Sequence, residues 1–431
     1  MKVALLGGGT VGSQVARLLS ESSEDFTARV GEPLELVGVA VRDASKSRDG
    51  IPADLLTDDP KALVERGDID LVIEVIGGID PARDLIATAI SQGASVVTAN
   101  KALMAQHGGE LSDAAREAGV DLFYEASVAG AIPLLRPLSE SLAGDSVVRI
   151  LGIVNGTTNY MLTKMSEEGA SYDEVLKVAQ DLGYAEADPT ADVEGHDSAA
   201  KAAILATLGF HTEVTLDQVY CEGISKITAA DISAADRMGF VVKLLAIAEL
   251  TPDGDGVIAR VHPAMVPKTH PLASVRDAFN AVFVEAESAG EMMFYGQGAG
   301  GAPTASAVLG DVIAAGRNRV SGSHAKGNPA YSALTPRPIE DAQTRYAMRI
   351  DVEDKPGVLS QIANAFGDHG VSIQTVRQDA PATSDDDQAQ ATLVIRTHDA
   401  NEGSLAKTVD AIEAIDSVRG VQSVIRVEGE S

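Results

Sequence analysis

Cysteine is nearly absent: Cys221 is the only one among 431 residues. An internal disulfide framework and a cysteine-built zinc site are thereby excluded, and the chain fits a reducing cytoplasm. Long apolar runs are also missing. None approaches the roughly 18 residues of a membrane helix, and the opening "MKVALLGGGTVG" lacks the cleavage region of a signal peptide. Positive charge is scarce: 34 Lys and Arg face 63 Asp and Glu, a net charge of −29. That balance argues against nucleic acid and anionic membranes as partners. It leaves any anionic ligand dependent on a local positive site. It is compatible with saline adaptation and says nothing about the fold.

What is present suffices for two or three domains with real cores, with 45% hydrophobic and 23% charged residues. Residues 1–133 alternate apolar runs with helical patterns. The runs are "VALLGGG" (3–9), "LELVGVAV" (34–41), "DLVIEVIG" (70–77), "ASVVTAN" (94–100) and "DLFYEASV" (121–128). This alternation predicts a doubly wound parallel α/β sheet. Residues 134–320 read as an α+β unit with helical patterns at 171–182, 196–209 and 230–250, and strands at 257–266 and 280–286. Residues 321–343, rich in Gly, Ser and Pro, read as a linker. Residues 344–431 follow the order strand, helix, strand, strand, helix, strand of a ferredoxin-like unit. Within it Val358, Leu359, Ile362, Ala363 and Phe366 predict one buried helical stripe. The polar segment 380–390 is expected to be a mobile loop. "DGDG" (253–256) resembles part of a calcium loop but lacks the remaining ligands, and reads as a turn.

Several motifs carry chemistry. Gly7-Gly8-Gly9-Thr10-Val11-Gly12 follows a strand and opens a helix, the context of a dinucleotide fingerprint. Gly7 would permit the tight turn, Gly9 the approach of a pyrophosphate, and Gly12 close helix–strand packing. The second strand leads to Arg42, with Lys46 and Arg48 behind it. Basic groups there suit the 2′-phosphate of NADP, while Asp43 keeps NAD open. "TANKALM" (98–104) places Lys101 at the carboxyl end of a strand, where ligands of such sheets bind. "YEASVAGAIP" (124–133) is a tight turn. Simple turn chemistry accounts for it, although exposed carbonyls with Glu125 also suit a monovalent cation. In "NGTTNYMLTKM" (155–165), Asn155 and Thr157 belong to a polar cluster that is either a helix cap or a site for a small polar ligand. "GYAEADPTADVEGHDSAAK" (183–201) sets carboxylates, Glu186, Asp192 and Asp197 among them, before Lys201 in an otherwise apolar helix. Asp197 and Lys201 are four apart and share a helix face. They are either a surface ion pair or a site in which acids take a substrate ammonium and the lysine moves a proton. A second glycine-rich stretch, "YGQGAGGAPTA" (295–305), again precedes a helix.

With "GGGTVG", "TANKALM", "NGTTNYML", "EADPTADVEGHDSAAK" and "GQGAGGAPTA" in this order, residues 1–325 resemble the homoserine dehydrogenases. The tail, with "IDVEDKPGVLSQIANAFGDHGVSIQTVRQ", resembles an ACT domain, a small amino-acid-sensing module. The resemblance implies NAD(P)-dependent interconversion of L-homoserine and L-aspartate 4-semialdehyde in threonine, methionine and isoleucine biosynthesis. It implies Lys201 as proton donor, Lys101 as a second lysine near nicotinamide and substrate, and Glu186 and Asp197 on the substrate amino group. Asp192, Asn155 and Thr157 complete the candidate substrate set. Gly183 and Gly301 match cofactor contacts, beside Gly7, Gly9, Thr10, Val11, Gly12 and Arg42. Glu125 with the carbonyls of Val128, Gly130 and Ile132 matches a sodium site. L-threonine is the implied effector, a homodimer or homotetramer the implied assembly, and truncation near residue 340 is expected to remove inhibition and spare activity. Two rivals remain. A phosphoglycerate-type dehydrogenase with an ACT tail would need a catalytic His and a mid-chain nucleotide domain. A non-catalytic cofactor-binding amino-acid sensor would lack Lys201 or Glu186.

Overall fold

The computed structural model describes residues 1–325, 329–379 and 390–430. The polar segment 380–390 lies, except for Gln390, outside the described residues. The first unit runs β1 (Lys2–Leu6), α1 (Thr10–Glu21), α2 (Ser23–Val30), β2 (Glu35–Ala40), β3 (Leu56–Thr57), α3 (Pro60–Val64), β4 (Leu71–Glu74), α4 (Ala82–Ser91), β5 (Ser95–Thr98), α5 (Lys101–Ala118) and β6 (Leu122–Phe123). All neighbours pair parallel in the order β3-β2-β1-β4-β5-β6, the doubly wound sheet expected. Helices on both faces bury the strands: Val3, Leu5, Leu71 and Ile73 are wholly inaccessible. Each such aliphatic side chain contributes about 1.5–3 kcal/mol. The strands are shorter than their apolar runs. The last, expected over 121–128, ends at Phe123, and Glu125–Ser127 tighten into a 3₁₀ turn.

The second unit comprises β7 (Val147–Ile153), α6 (Gly156–Glu168), α7 (Tyr172–Asp181), α8 (Thr190–Val193), α9 (His196–Phe210), β8 (Tyr220–Cys221), α10 (Ala229–Arg237), β9 (Phe240–Leu250), β10 (Gly256–Pro267), β11 (Phe279–Ala286), β12 (Gly290–Gln297) and α11 (Gly301–Ser321). The helical reading of 230–250 is corrected. Helix α10 stops at Arg237, Gly239 turns the chain at φ +86°, and residues 240–250 form a central strand. Buried on both faces, this strand is apolar except at Lys243 and Glu249, so its sequence loses the alternation that marks a half-buried strand. Strand β12 had no expectation. Helix α11, grouped by sequence with the second unit, packs its Ala305, Val308 and Val312 against Val3, Leu5 and Val15 of the first.

The third unit contains β13 (Thr335–Pro336), β14 (Gln343–Glu353), α12 (Val358–Asp368), β15 (Ile373–Asp379), β16 (Gln390–Thr397), β17 (Ala400–Asn401), α13 (Glu402–Glu413) and β18 (Val418–Val427). It shows the ferredoxin-like order. The stripe of α12 is Val358, Ile362, Ala365 and Phe366, whereas Leu359 and Ala363 face outward. The described part of the linker lies on the second unit: the Tyr331 ring stacks on His211, Ser332 N donates to His211 O, and β13 pairs with β10.

The second and third units share one twelve-stranded sheet among the described residues, whose main path is β12-β11-β7-β9-β10-β18-β14-β16-β15. The seam is the parallel pairing of Ala264 and Met265 with Arg426 and Val427. Beside it lies a buried ionic network. Arg260, with no exposed surface, donates to Glu249 at 2.5 Å and to Glu428 at 3.0 Å. Arg149 meets the same two acids. His262 accepts from Arg260 Nε, and burial together with the surrounding arginines holds its pKa well below the usual value, so it stays neutral. No described helix is long and apolar enough to cross a membrane. Glu428→Ala leaves two buried guanidinium groups short of a partner. It is expected to cost about 3–5 kcal/mol of stability in chemical denaturation; a loss below 1 kcal/mol would mean that solvent or Glu249 replaces it.

Candidate active site

Two neighbouring regions at the carboxyl ends of the first sheet make up the site. One is the glycine turn between β1 and α1. Gly7 adopts φ +113°, and a Cβ there would stand 2.9 Å from Val75 O. A Cβ on Gly12 would lie 1.9 Å from Gly7 O, so only glycine lets α1 start this close to β1. Gly9 faces open space. Thr10, Val11 and Gly12 form the first turn of α1, which has no capping side chain and no acid to neutralise its positive end. The turn opens on a cavity of about 570 Å³, lined also by Arg42, Arg48, Ile76 and Gly77. These residues fit a dinucleotide: a side-chain-free turn for the pyrophosphate and two guanidinium groups beyond β2. Asp43 faces its own loop, where Ser45 Oγ donates to it at 2.5 Å and Lys46 pairs with it at 3.2 Å.

Gly301 meets the same turn from the second unit. A Cβ there would touch Thr10 O and Thr10 Cγ2 at 3.0 Å. Gly183, by contrast, is an exposed φ +76° residue after α7 with nothing near it.

The other region brings two lysines to one carboxylate. Lys101 starts α5, which Asn100 caps by accepting from Leu103 N. Its ammonium contacts Asp197 Oδ1. Lys201 Nζ donates to Asp197 Oδ2 at 2.7 Å and to Val154 O at 2.6 Å. Asn155 Nδ2 donates to Asp197 Oδ2 at 3.0 Å and to Asp192 Oδ1 at 2.7 Å, while its Oδ1 caps α6. Asp197, Lys201 and Asn155 are buried, and Lys101 is partly exposed. Sequence left two readings of the Lys201–Asp197 pair; the pair is not on the surface.

Burial lowers the Lys201 pKa, and although Asp197 opposes it, Lys101 adds to the lowering and the net direction is down. For Asp197 burial acts upward, but Lys201 and Lys101 together hold its carboxyl well below the usual range. Burial raises Asp192, against its bond from Asn155. The cluster therefore pairs a lysine of lowered pKa with a carboxylate that stays ionised.

Other candidates fall elsewhere. The Thr157 hydroxyl donates to Tyr184 O at 2.6 Å and ties α6 to the loop after α7. Glu186 is exposed and has no side-chain bond to Asp197, Asn155 or Lys201. The Glu125 carboxylate accepts from the backbone N–H groups of Leu134, Leu135 and Arg136. Its main-chain N–H donates to Asp311, whose carboxyl burial pushes up to about 7. The carbonyls of Val128, Gly130 and Ile132 are in a buried segment and accept no hydrogen bond among the described residues. Buried carbonyls are nearly always paired, so this set fits a cation bound through main-chain oxygens. No metal-ligating group of three or more His, Cys, Asp or Glu occurs among the described residues.

Sequence reading missed Glu74. Fully buried at the end of β4, it accepts from Ile76 N and Gly77 N, and from Thr98 Oγ1 at 2.5 Å. It braces the loop facing the glycine turn and the "TANK" segment that presents Lys101. An acid inside the apolar run "DLVIEVIG" was the available signal. The carbonyl of Val154 has no side-chain signature at all.

The comparisons agree with this geometry. The family model for the homoserine dehydrogenase NAD-binding domain matches residues 7–125, that for homoserine dehydrogenase residues 133–313, and that for the ACT domain residues 346–417. A homoserine dehydrogenase from Corynebacterium glutamicum is 54% identical, over 99% of this chain and 95% of that protein. The crystal structure of a homoserine dehydrogenase from Thiobacillus denitrificans superposes with a TM-score of 0.93 at 38% identity, covering 100% of this chain and 98% of that one. A hyperthermophilic archaeal homoserine dehydrogenase in complex with NADPH matches with a TM-score of 0.62 at 29% identity, over 73% of this chain and 97% of its own. This chain thus belongs to the homoserine dehydrogenase family of NAD(P)-dependent oxidoreductases, in a form that carries a carboxyl-terminal ACT domain.

Proposed function

We propose that the chain reduces L-aspartate 4-semialdehyde to L-homoserine with NADPH and catalyses the reverse oxidation, on the route to threonine, methionine and isoleucine. The observation that carries this reading is Asp197 held between Lys101 and Lys201, with Lys101 following β5 on the same carboxyl rim of the sheet as the glycine turn after β1. Residues 7–12 would hold the reduced cofactor, which would supply a hydride to the substrate's carbonyl carbon. Lys201 gives the carbonyl oxygen its proton. Two of the three Nζ protons are spent on Val154 O and Asp197, which leaves one for the substrate. A pKa depressed by burial makes that proton easier to release, and makes the amine easier to regenerate as a base in the oxidation. Lys101, at the cleft mouth, offers a charge to the substrate carboxylate. Asp192 and Asp197, oriented by Asn155, take the ammonium, with Glu186 assigned there by family resemblance alone.

Arg42 and Arg48 on the nucleotide cavity, with Asp43 tied to its own loop, favour NADP over NAD. The archaeal relative's complex with NADPH points the same way. The carbonyls of Val128, Gly130 and Ile132 would hold a sodium ion that satisfies them in a turn pressed against the Gly298 backbone. The ACT domain senses L-threonine, and the enzyme works in the cytoplasm as a homodimer or homotetramer. Truncation near residue 340 would also uncover Ile425 and Val427's place in the core of the second unit, so lost activity after it would not by itself report on regulation.

The purified protein should reduce NADP with L-homoserine but not with serine or 3-phosphoglycerate; no signal with either cofactor, despite NADPH binding, would favour the sensor reading. Lys201→Ala should lose about 10²–10⁴-fold in turnover while its NADPH affinity, measured by fluorescence titration, stays unchanged. Near-normal turnover would remove Lys201 from the mechanism. The reduction needs the ammonium, so its rate falls as pH rises through the lowered Lys201 pKa; the oxidation needs the amine and rises through the same value. Asp197→Asn removes the neighbour that raises this pKa, so both limbs should move to lower pH. Exchanging Arg42 and Arg48 together for Ala should narrow the NADP/NAD ratio of kcat/KM; an unchanged ratio would assign the preference elsewhere.

A further inference from the structure

We infer that the ion pair between Arg426 of the ACT domain and Glu222 positions the start of the helix carrying Asp197 and Lys201. The inference rests on the reading of those two residues as the substrate site. Arg426 sits on β18 at the seam with β10. Its Nε and Nη2 donate to Glu402 Oε1, at the head of α13, at 2.9 and 2.5 Å. Its Nη1 reaches across the seam and donates to Glu222 Oε2 at 2.8 Å. The guanidinium also stands over the rings of Tyr220 and Tyr346, 5.2 and 5.7 Å from their centroids. One side chain thus joins a strand and a helix of the ACT domain to the segment after β8.

That segment runs straight to the catalytic helix. Ile224 N donates to Val193 O at 2.8 Å, and Cys221 Sγ donates to Glu194 O at 3.2 Å. Gly223 is pressed so close that a Cβ would lie 2.2 Å from Val193 O and 2.4 Å from Glu194 Cα. Residues 193–195 are the joint between α8 and α9. The residue that opens α9, Gly195, has φ +84° and no side chain to cap the helix. Helix starts without a capping side chain depend on other contacts for definition, and here segment 221–224 supplies them. Asp197 follows two residues later. A shift of β18 or α13 is passed through Arg426 and Glu222 to 193–195, and from there to the carboxylate between the two lysines.

Glu222→Gln, Arg426→Lys and the double variant test the link. The Glu222 side chain is 32% exposed, so its amide is tolerated even if the buried Arg426 change weakens folding. Amide hydrogen exchange over 193–200 reads the link without turnover, and KM for homoserine against KM for NADP reads its effect on the site. Each single variant should speed exchange there and raise the homoserine KM about 3–30-fold, with the NADP KM and the melting temperature of Glu222→Gln unchanged. The double variant should do no more than the singles. Unchanged exchange over 193–200, equal shifts in both KM values, or additive effects would overturn the inference. Because exchange needs no substrate, its failure is distinct from a failure of the proposed reaction, which the wild-type rate reports.

Discussion

One carboxylate holds the candidate site together. Lys101 comes from the first unit and Lys201 from the second, and two ammonium groups this close repel unless a negative charge stands between them. Asp197 is that charge. Its ionisation is secured by the very lysines it separates, so the negative charge between them persists. The same contact spans the units: α5 opens at Lys101, α9 carries Asp197 and Lys201, and Asn155 at the head of α6 orients the carboxylate from a third side. The nucleotide turn, the helix starts and the lysine chemistry all converge on this arrangement.

The net charge of −29 gives that convergence a purpose. A chain so acidic repels phosphorylated and carboxylated molecules at a distance. Local attraction is available at the uncapped start of α1, the two arginines beyond β2 and the paired lysines. Each lies on the rim of the first sheet, where backbone dipoles and cations set the local field against the acids nearby, Asp58 and Asp80 on the nucleotide cavity among them.

Much of this was legible because it is local. Buried parallel strands separated by helices leave an alternation that needs no tertiary knowledge. A glycine turn between strand and helix has a fixed spacing, and Asp197 and Lys201 share a face because four residues make about one turn. What was not legible depended on distance or on backbone. Residues 240–250 read as helix because a doubly buried strand carries no period of two. Nothing near Lys101 announces Asp197, and nothing near Arg260 announces Glu428. Nor does anything near Glu125 announce that its carboxylate accepts from the backbone N–H groups of 134–136; their direction follows from a turn that residue types alone do not specify.

The shared sheet also bears on how the chain is made. Strand β10 emerges from the ribosome long before β18, and until β18 arrives its outer edge has no partner over Ala264 and Met265. A bare edge invites pairing with another chain. Arg149 and Arg260, beside that region, already meet Glu249, and until Glu428 is synthesised each lacks its second acid and keeps the rest of its guanidinium for water. The two guanidinium groups then act as charged gatekeepers for a nascent edge. The groups that lock the finished seam are the ones that keep the unfinished one from sticking to its neighbours.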